Sequence, residues 1–385
     1  MSDSPATPAK PRLAIDKITI KGYKSIKELV DFELGPITVL IGANGSGKSN
    51  LLSFFSFINE IGLLNLQAVV AQSGGRERYL HLGSSTTTAI EAEICLEADT
   101  YAIELTPVEG DRLLIKEETI ALKDLKNLPS PMTFALNANE SNVRRGIPQL
   151  EQHDKAVFFA PPEKFPLIEA RQELWPRPYH ITDTGFASPL RTSANIHGNR
   201  RLQSDGGNIA PMLYRLLKTQ TDLYERILNL VKRVAPFIGD FDLRPNPLNG
   251  ASILFQWFQS GWAQSLYASQ LSDGTLRFIC LITALLQPEP PSIIMLDEPE
   301  LGLHPYAIHL LADLIHEVAV ERQVIVATQS PMLLDHFNPE QVVVVEREEE
   351  ASIFRRLTRD ELAVWLEDYS LGEIWRKGVL GGRSG

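Results

Sequence analysis

The stretch from Ile37 to Ile58 restricts the fold more than any other. Ile37-Thr-Val-Leu-Ile41 is a β-branched apolar run and reads as a buried strand. Gly42-Ala43-Asn44-Gly45-Ser46-Gly47-Lys48-Ser49 follows and fits G-x-x-x-x-G-K-[ST]. Asn50 to Ile58 continues as a helix. Strand, glycine loop and helix N-terminus in this order form a phosphate cradle. The glycines let backbone N–H groups turn inward, and the helix start adds partial positive charge. Lys48 is expected to reach the β- and γ-phosphates and Ser49 to hold Mg²⁺ through its hydroxyl. Asn50 is grouped with the cradle.

Ile293-Ile-Met-Leu296 is a second buried-strand run, and it ends in Asp297-Glu298-Pro299. A carboxylate at a strand end beside the cradle suits Mg²⁺ bound through its water shell, which assigns Asp297. Glu298 would then face the γ-phosphate and polarise the attacking water as general base. Leu271-Ser272-Asp273-Gly274-Thr275 leads into the apolar stretch Leu276–Leu286, read as a buried helix. Ser272 and Gly274 at its N-terminus make a second anion site. One chain needs only one phosphate cradle, so the second suggests that one subunit caps the nucleotide of another.

Together with Val324-Ile-Val-Ala-Thr-Gln329-Ser-Pro331, these segments resemble the Walker A, signature, Walker B and switch segments of ABC-type ATPases. The resemblance is to the RecF/SMC branch and its OLD-type relatives rather than to transporter subunits. The insertion between cradle and signature is long for a transporter. Asp297-Glu-Pro-Glu-Leu-Gly-Leu-His304-Pro305 resembles the D-E-P-E-x-G-L-H-P of stand-alone ATPases of this kind. Ile18-Thr-Ile-Lys-Gly-Tyr-Lys-Ser-Ile26 resembles the first-strand I-x-G-[FY]-[KR]-S of RecF and SMC heads. These matches cover about a third of the chain.

The resemblance implies an α/β P-loop NTPase head with a mixed or parallel core sheet, an antiparallel β lobe and a helical lobe. It implies ATP and Mg²⁺ as ligands and a head-to-tail homodimer around ATP. DNA, or a separate effector protein such as a nuclease, would be the partner. Gln329 stands where many such ATPases place a switch histidine. It can hydrogen-bond a γ-phosphate or a water but cannot titrate. Tyr179-His-Ile-Thr-Asp-Thr184 resembles the Y-H-F-H-D-T of OLD-like ATPases, and Ser204-Asp-Gly-Gly-Asn-Ile-Ala210 resembles an element that opens a helix. Both are expected near the nucleotide or the dimer face; the alternative is a core His180 and a plain cap at Asp205 or Asn208.

The chain has 385 residues and a formal net charge of −11, which argues against a surface with general affinity for nucleic acid. Arg144-Arg145, Arg191 with Arg200-Arg201, and Arg355-Arg356 are the candidate basic patches. Cys95 and Cys280 lie far apart in apolar runs and read as buried free thiols of a reducing cytosol. No H-E-x-x-H or related pattern appears, so no structural metal is expected. Apolar runs are too short to span a membrane. Met1–Pro11 lacks the apolar stretch of a signal peptide. The expected location is cytoplasmic.

The expected organisation is a tail over 1–12 and one head over 13–385. Its parts are 13–125 with the cradle and β lobe, 126–264 with an insertion and helical lobe, and 265–385 with the signature, acid pair and switch. Residues 13–41 read as two or three strands. Leu63–Tyr79 reads as helical up to Gly74-Gly75. Thr86–Leu96, Tyr101–Pro107 and Arg112–Leu122 read as an antiparallel sheet. Residues 125–152 read as a loop, Ala156–Ala160 as a strand, Ile209–Val234 as one or two amphipathic helices and Val342–Val345 as a late core strand. The ending at Tyr369–Gly382 is expected to leave no room for a nuclease domain. Three outputs stay open on this reading: a DNA-linked ATPase of repair or phage defence, an ATP-controlled scaffold for an effector with little turnover, and a transporter ATPase.

Overall fold

A computed structural model describes residues 14–96, 99–121, 132–141, 177–181, 183–185 and 187–381. The tail over 1–12, the strand expected at Ala156–Ala160, Arg144-Arg145 and Thr182 lie outside the described residues.

The core is a six-stranded sheet. Its order is Ala351–Arg356, Val342–Glu348, Ile37–Ile41, Gln323–Thr328, Ile293–Asp297 and Arg177–Tyr179. Four of its five pairings are parallel, and only the hairpin at Ala351–Arg356 is antiparallel. Alternation along each central strand feeds two separate cores. Val39, Leu296, Val326 and Val344 face one; Leu40, Met295, Ile325 and Val345 face the other. A sheet buried on both faces needs continuously apolar strands, which is why these runs show no polar alternation.

On one face lies the helix Lys48–Gly62, burying Leu51, Phe54, Phe55, Ile58 and Ile61. A second six-stranded sheet, antiparallel throughout, covers it. Its order is Ile26–Glu33, Lys17–Tyr23, Ile90–Leu96, Asp99–Val108, Arg112–Ala121 and Met132–Ala138. Tyr23 stacks on Phe57 with ring centroids 5.8 Å apart, so the turn before Ser25 is packed directly onto the cradle helix. Each large apolar side chain buried this way contributes about 1.5–3 kcal/mol. On the other face pack Ile209–Thr219, Thr221–Val234, Asp273–Leu286 and Pro305–Val318. Every residue from Leu276 to Leu286 is buried, which explains a helix apolar all round.

Gln323 joins the opening segment to the core sheet. Fully buried, it accepts from Ile15 N at 3.1 Å and donates to Ile15 O at 2.9 Å and Leu34 O at 3.0 Å.

Several expectations change. Met132–Ala138, expected as part of a loop, pairs antiparallel with Arg112–Ala121 as an edge strand of the lobe. The helix after the cradle breaks at Leu63–Asn65, where Leu64 has φ 65, and resumes over Leu66–Gln72. The amphipathic stretch, read as one or two helices, is two, parted at Gln220, in agreement with that reading. Cys95 is only partly buried, beside Glu93 and Thr100, while Cys280 is fully buried. A three-stranded sheet of Ile238–Asp242, Gln256–Gln259 and Ser265–Tyr267 was not anticipated. No described helix is long and apolar enough to cross a membrane.

Candidate nucleotide site

The loop Gly42–Gly47 joins a strand in the middle of the core sheet to the Lys48–Gly62 helix. Gly47 has φ 114, and a side chain there would collide with the Ser352 hydroxyl. The same hydroxyl braces the loop, since Ser352 Oγ donates toward Ser46 O at 2.5 Å and contacts Ser25 Oγ at 2.6 Å. Asn50 Nδ2 donates to that Ser25 Oγ at 2.7 Å. The loop is thus held between the first hairpin and the last.

Lys48 is buried, and its Nζ donates to Gly42 O at 2.6 Å and Ala43 O at 2.9 Å. Burial lowers its pKa, opposed by the charges of Glu298, Asp297 and Glu300. Asp297 ends its strand with its side chain 6% exposed. Burial pushes its carboxyl up, against the opposing effects of His180, Ser49 and Lys48. A buried carboxylate beside the Ser49 hydroxyl, whose charged form gains from a cation, is a fitting donor set for a hard divalent metal.

Glu298 has φ 45, a left-handed conformation uncommon for a residue with a side chain. Its backbone N–H donates to Ala327 O at 2.8 Å, so the turn is pinned to the neighbouring strand. Gln329 Nε2 donates to Glu298 Oε1 at 2.6 Å and to Asn44 Oδ1 at 2.5 Å. The acid, the switch residue and the glycine loop therefore converge. Behind them Glu300 accepts from Thr328 Oγ1 at 2.5 Å and from Gln329 N at 3.3 Å. Burial raises its pKa, and its Oε2 is buried without a hydrogen bond.

Ser272 caps its helix, accepting from Thr275 N at 3.2 Å. Gly274 presses on the carbonyl of Gly302, and an added Cβ would collide with that oxygen. No hydrogen bond among the described residues joins Ser272 or Gly274 to Gly42–Ser49.

His180 is no core histidine. Its side chain is 59% exposed and its Nδ1 lies 3.2 Å from Asp297 Oδ2. Asn208 does not cap its helix with its side chain; it accepts from Gln203 N at 2.7 Å and donates to Gly198 O at 2.7 Å and Arg201 O at 2.8 Å. Arg277 escaped the sequence reading. Its Nε donates to Ile181 O at 2.6 Å and its Nη1 to Leu301 O, tying the Ser272 helix to both the His180 and Glu298 segments. Its one hint was a lone charge inside an apolar run.

The basic candidates among the described residues are engaged within the chain. Arg191 pairs with Asp273 at 2.8 Å, Arg200 with Glu289 at 2.8 Å and Arg355 with Glu361 at 3.3 Å. Arg356 donates to Glu340 O at 2.9 Å and to Glu33 O at 2.5 Å.

Two family models match the chain. "AAA ATPase domain" covers residues 14–150, and "AAA domain, putative AbiEii toxin, Type IV TA system" covers residues 180–335. An OLD nuclease of Thermus scotoductus is 21% identical over 388 residues, spanning 96% of this chain and 68% of that protein. Urease accessory protein 2 of Cryptococcus neoformans var. grubii is 35% identical over 112 residues, 28% of this chain and only 9% of that protein. Among solved structures, an Smc head bound to the C-terminal winged-helix domain of ScpA has a TM-score of 0.54 at 16% identity, covering 91% of this chain and 99% of the other. An Smc head from Pyrococcus furiosus with an extended coiled coil, bound to the C-terminal domain of ScpA, has a TM-score of 0.50 at 15% identity, covering 92% and 99%.

Fold and site together define the class as a P-loop NTPase head of the ABC type. The two family models and the match to the OLD nuclease along 96% of this chain make it similar to ATPases of the RecF/SMC/OLD branch.

Proposed function

We propose that this head binds and hydrolyses ATP in a head-to-tail dimer and that the nucleotide state signals to a partner. The observation that carries the reading is the meeting of Glu298, Gln329 and Asn44 beside the Lys48 loop, which among the described residues makes no hydrogen bond to Ser272 or Gly274 of the same chain. A cradle with no hydrogen bond to Ser272 or Gly274 of its own chain suits two copies exchanging caps.

In this reading Gly42 to Asn50 hold the phosphates through backbone N–H groups, and Lys48 turns from Gly42 O and Ala43 O to the β- and γ-oxygens. Ser49 and Asp297 would hold Mg²⁺, which supplies charge neutralisation at the phosphates when bound. Glu298 takes the proton of the attacking water, and Gln329 fixes that carboxylate and reports on the γ-phosphate. The 2.5 Å contact from Thr328 to Glu300 passes that report to the segment Leu301–Leu303. Gly302 there touches Gly274, so loss of the γ-phosphate loosens the cap and opens the dimer.

The partner is of one of two kinds: DNA in repair or phage defence, or a separate effector protein, the head then acting as a scaffold with little turnover. The internal pairing of Arg191, Arg200, Arg355 and Arg356 favours the protein partner. The Smc heads of like fold are bound to ScpA, which supports the same side.

The test is the mass of Glu298→Gln by light scattering, with and without Mg-ATP. A shift from monomer to dimer on adding ATP is expected. An unchanged monomer that still binds ATP would overturn the exchanged-cap arrangement.

A further inference from the structure

His180 is held where a cation ligand would stand, and its place follows from strand register. The strand Arg177–Tyr179 runs parallel to Ile293–Asp297, with Tyr179 opposite Leu296. One residue further along each strand, His180 and Asp297 are neighbours at the same sheet edge. Both are fixed there. Tyr179 is buried and its hydroxyl accepts from Gln287 Nε2 at 2.8 Å, while His180 N donates to Ser204 O at 2.8 Å. Asp297 is hydrogen-bonded to Ser49 on its other side.

His180, Asp297, Ser49, Asn50, Ser53 and Lys24 are among the residues lining one cavity of about 570 Å³. A carboxylate, a hydroxyl and an imidazole thus converge on one space. The imidazole is more than half exposed, whereas the carboxylate is nearly enclosed. The 3.2 Å between His180 Nδ1 and Asp297 Oδ2 is close to the separation that two ligands of one octahedral cation at about 2.0–2.1 Å share.

We infer that His180 donates an imidazole nitrogen to the divalent cation that Ser49 and Asp297 hold with the nucleotide, so that the site favours Mn²⁺ over Mg²⁺ more than an all-oxygen site would. The inference rests on the cradle reading above. Mg²⁺ takes oxygen ligands in strict octahedral geometry and keeps its waters, whereas Mn²⁺ lies on the series whose affinity for nitrogen donors rises. The nitrogen changes which metal the nucleotide brings with it, and leaves the identity of the phosphate ligands unchanged.

The experiment uses the whole chain with Mn²⁺ and a non-hydrolysable ATP analogue, read by electron spin echo modulation. The protein is prepared once with ordinary and once with ¹⁵N-labelled histidine. A ¹⁴N modulation that turns into a ¹⁵N pattern on labelling, and vanishes in His180→Gln, is the expected result. Labelling histidine alone separates the ring from the adenine nitrogens. In competition titrations, His180→Gln should reduce the Mn²⁺-over-Mg²⁺ preference roughly tenfold. Bound Mn²⁺ without histidine modulation, together with equal losses of both metals in His180→Gln, would overturn the inference and make His180 a positioning residue that only orients Asp297. Absence of nucleotide-dependent Mn²⁺ binding in the unmodified protein would instead sink the cradle reading itself.

Discussion

Gln329 Nε2 donates to Glu298 Oε1 at 2.6 Å, so the residue after the switch strand is bound to the acid after the neighbouring strand. Glutamine cannot share a proton with that carboxylate, so the contact positions without titrating. Replacing Gln329 by Leu removes a hydrogen bond to a charged group, worth about 1.5–3 kcal/mol. ATP hydrolysis should therefore fall roughly ten- to a hundredfold in single-turnover measurements. Nucleotide affinity should change little, because Lys48 and the loop N–H groups are untouched. Wild-type turnover in Gln329→Leu would show that Glu298 needs no help from the switch.

Glu300 supplies a pH test. Burial raises its pKa in the folded chain, so the folded state holds this proton more tightly than the unfolded one. The stability it contributes is full below the ordinary glutamate range and is lost as pH rises through the raised value. Glu300→Gln keeps an acceptor for Thr328 without the ionisation. Denaturant titrations should find the variant gaining on the wild type as pH rises from about 4.5, with the gap levelling off above the raised pKa. A pH-independent difference would mean that Glu300 stays ionised at no cost.

Gly274→Ala should act through Gly302. The added methyl meets a backbone carbonyl, which yields less readily than the end of a side chain. Overpacking of this kind costs about 1–3 kcal/mol. Equilibrium unfolding would give the number. Loss of ATP-linked dimerisation at temperatures where the variant is still folded would add that the contact sets the cap's position.

Ser352→Ala removes the hydroxyl that bridges Ser25 and Ser46 O. Leaving buried partners unsatisfied costs about 1–3 kcal/mol. Since those partners hold the loop, fluorescent-nucleotide titration should find weaker ATP binding, in contrast to Gln329→Leu. Equal affinity would show that the loop keeps its shape without the C-terminal hairpin.

How far the sequence could be read depended on what made each element local. The strands at Ile37, Ile293 and Gln323 are buried on both faces, so each appears as an unbroken apolar run. The loop chemistry of Gly42–Ser49 is contiguous, and its residues do lie together. Met132–Ala138 was missed because its Asn-, Ser- and Pro-rich flanks dominate the composition, and an edge strand has one neighbour rather than two to demand apolar residues. The sheet at Gln256–Gln259 has no clean alternation, with one buried residue among three partly exposed ones. His180 and Arg277 owe their roles to strand register and helix packing across large sequence separations. Windows of a dozen residues carry no trace of such pairings. Ser25 lay in a quoted motif, but its role in bracing the loop became visible only with Ser352 opposite it.

The place of the cradle strand in the sheet also sets a timetable. Ile37–Ile41 leaves the ribosome early, yet both of its sheet neighbours, Gln323–Thr328 and Val342–Glu348, come from the far end of the chain. Gln323 also fastens the opening segment at Ile15 and Leu34. Until those late strands emerge, the loop has no walls, and a five-residue apolar strand waits unpaired, the condition under which nascent chains aggregate. The loop can therefore take its final shape only after Val342–Glu348 has been made, some 300 residues after the strand that leads into it.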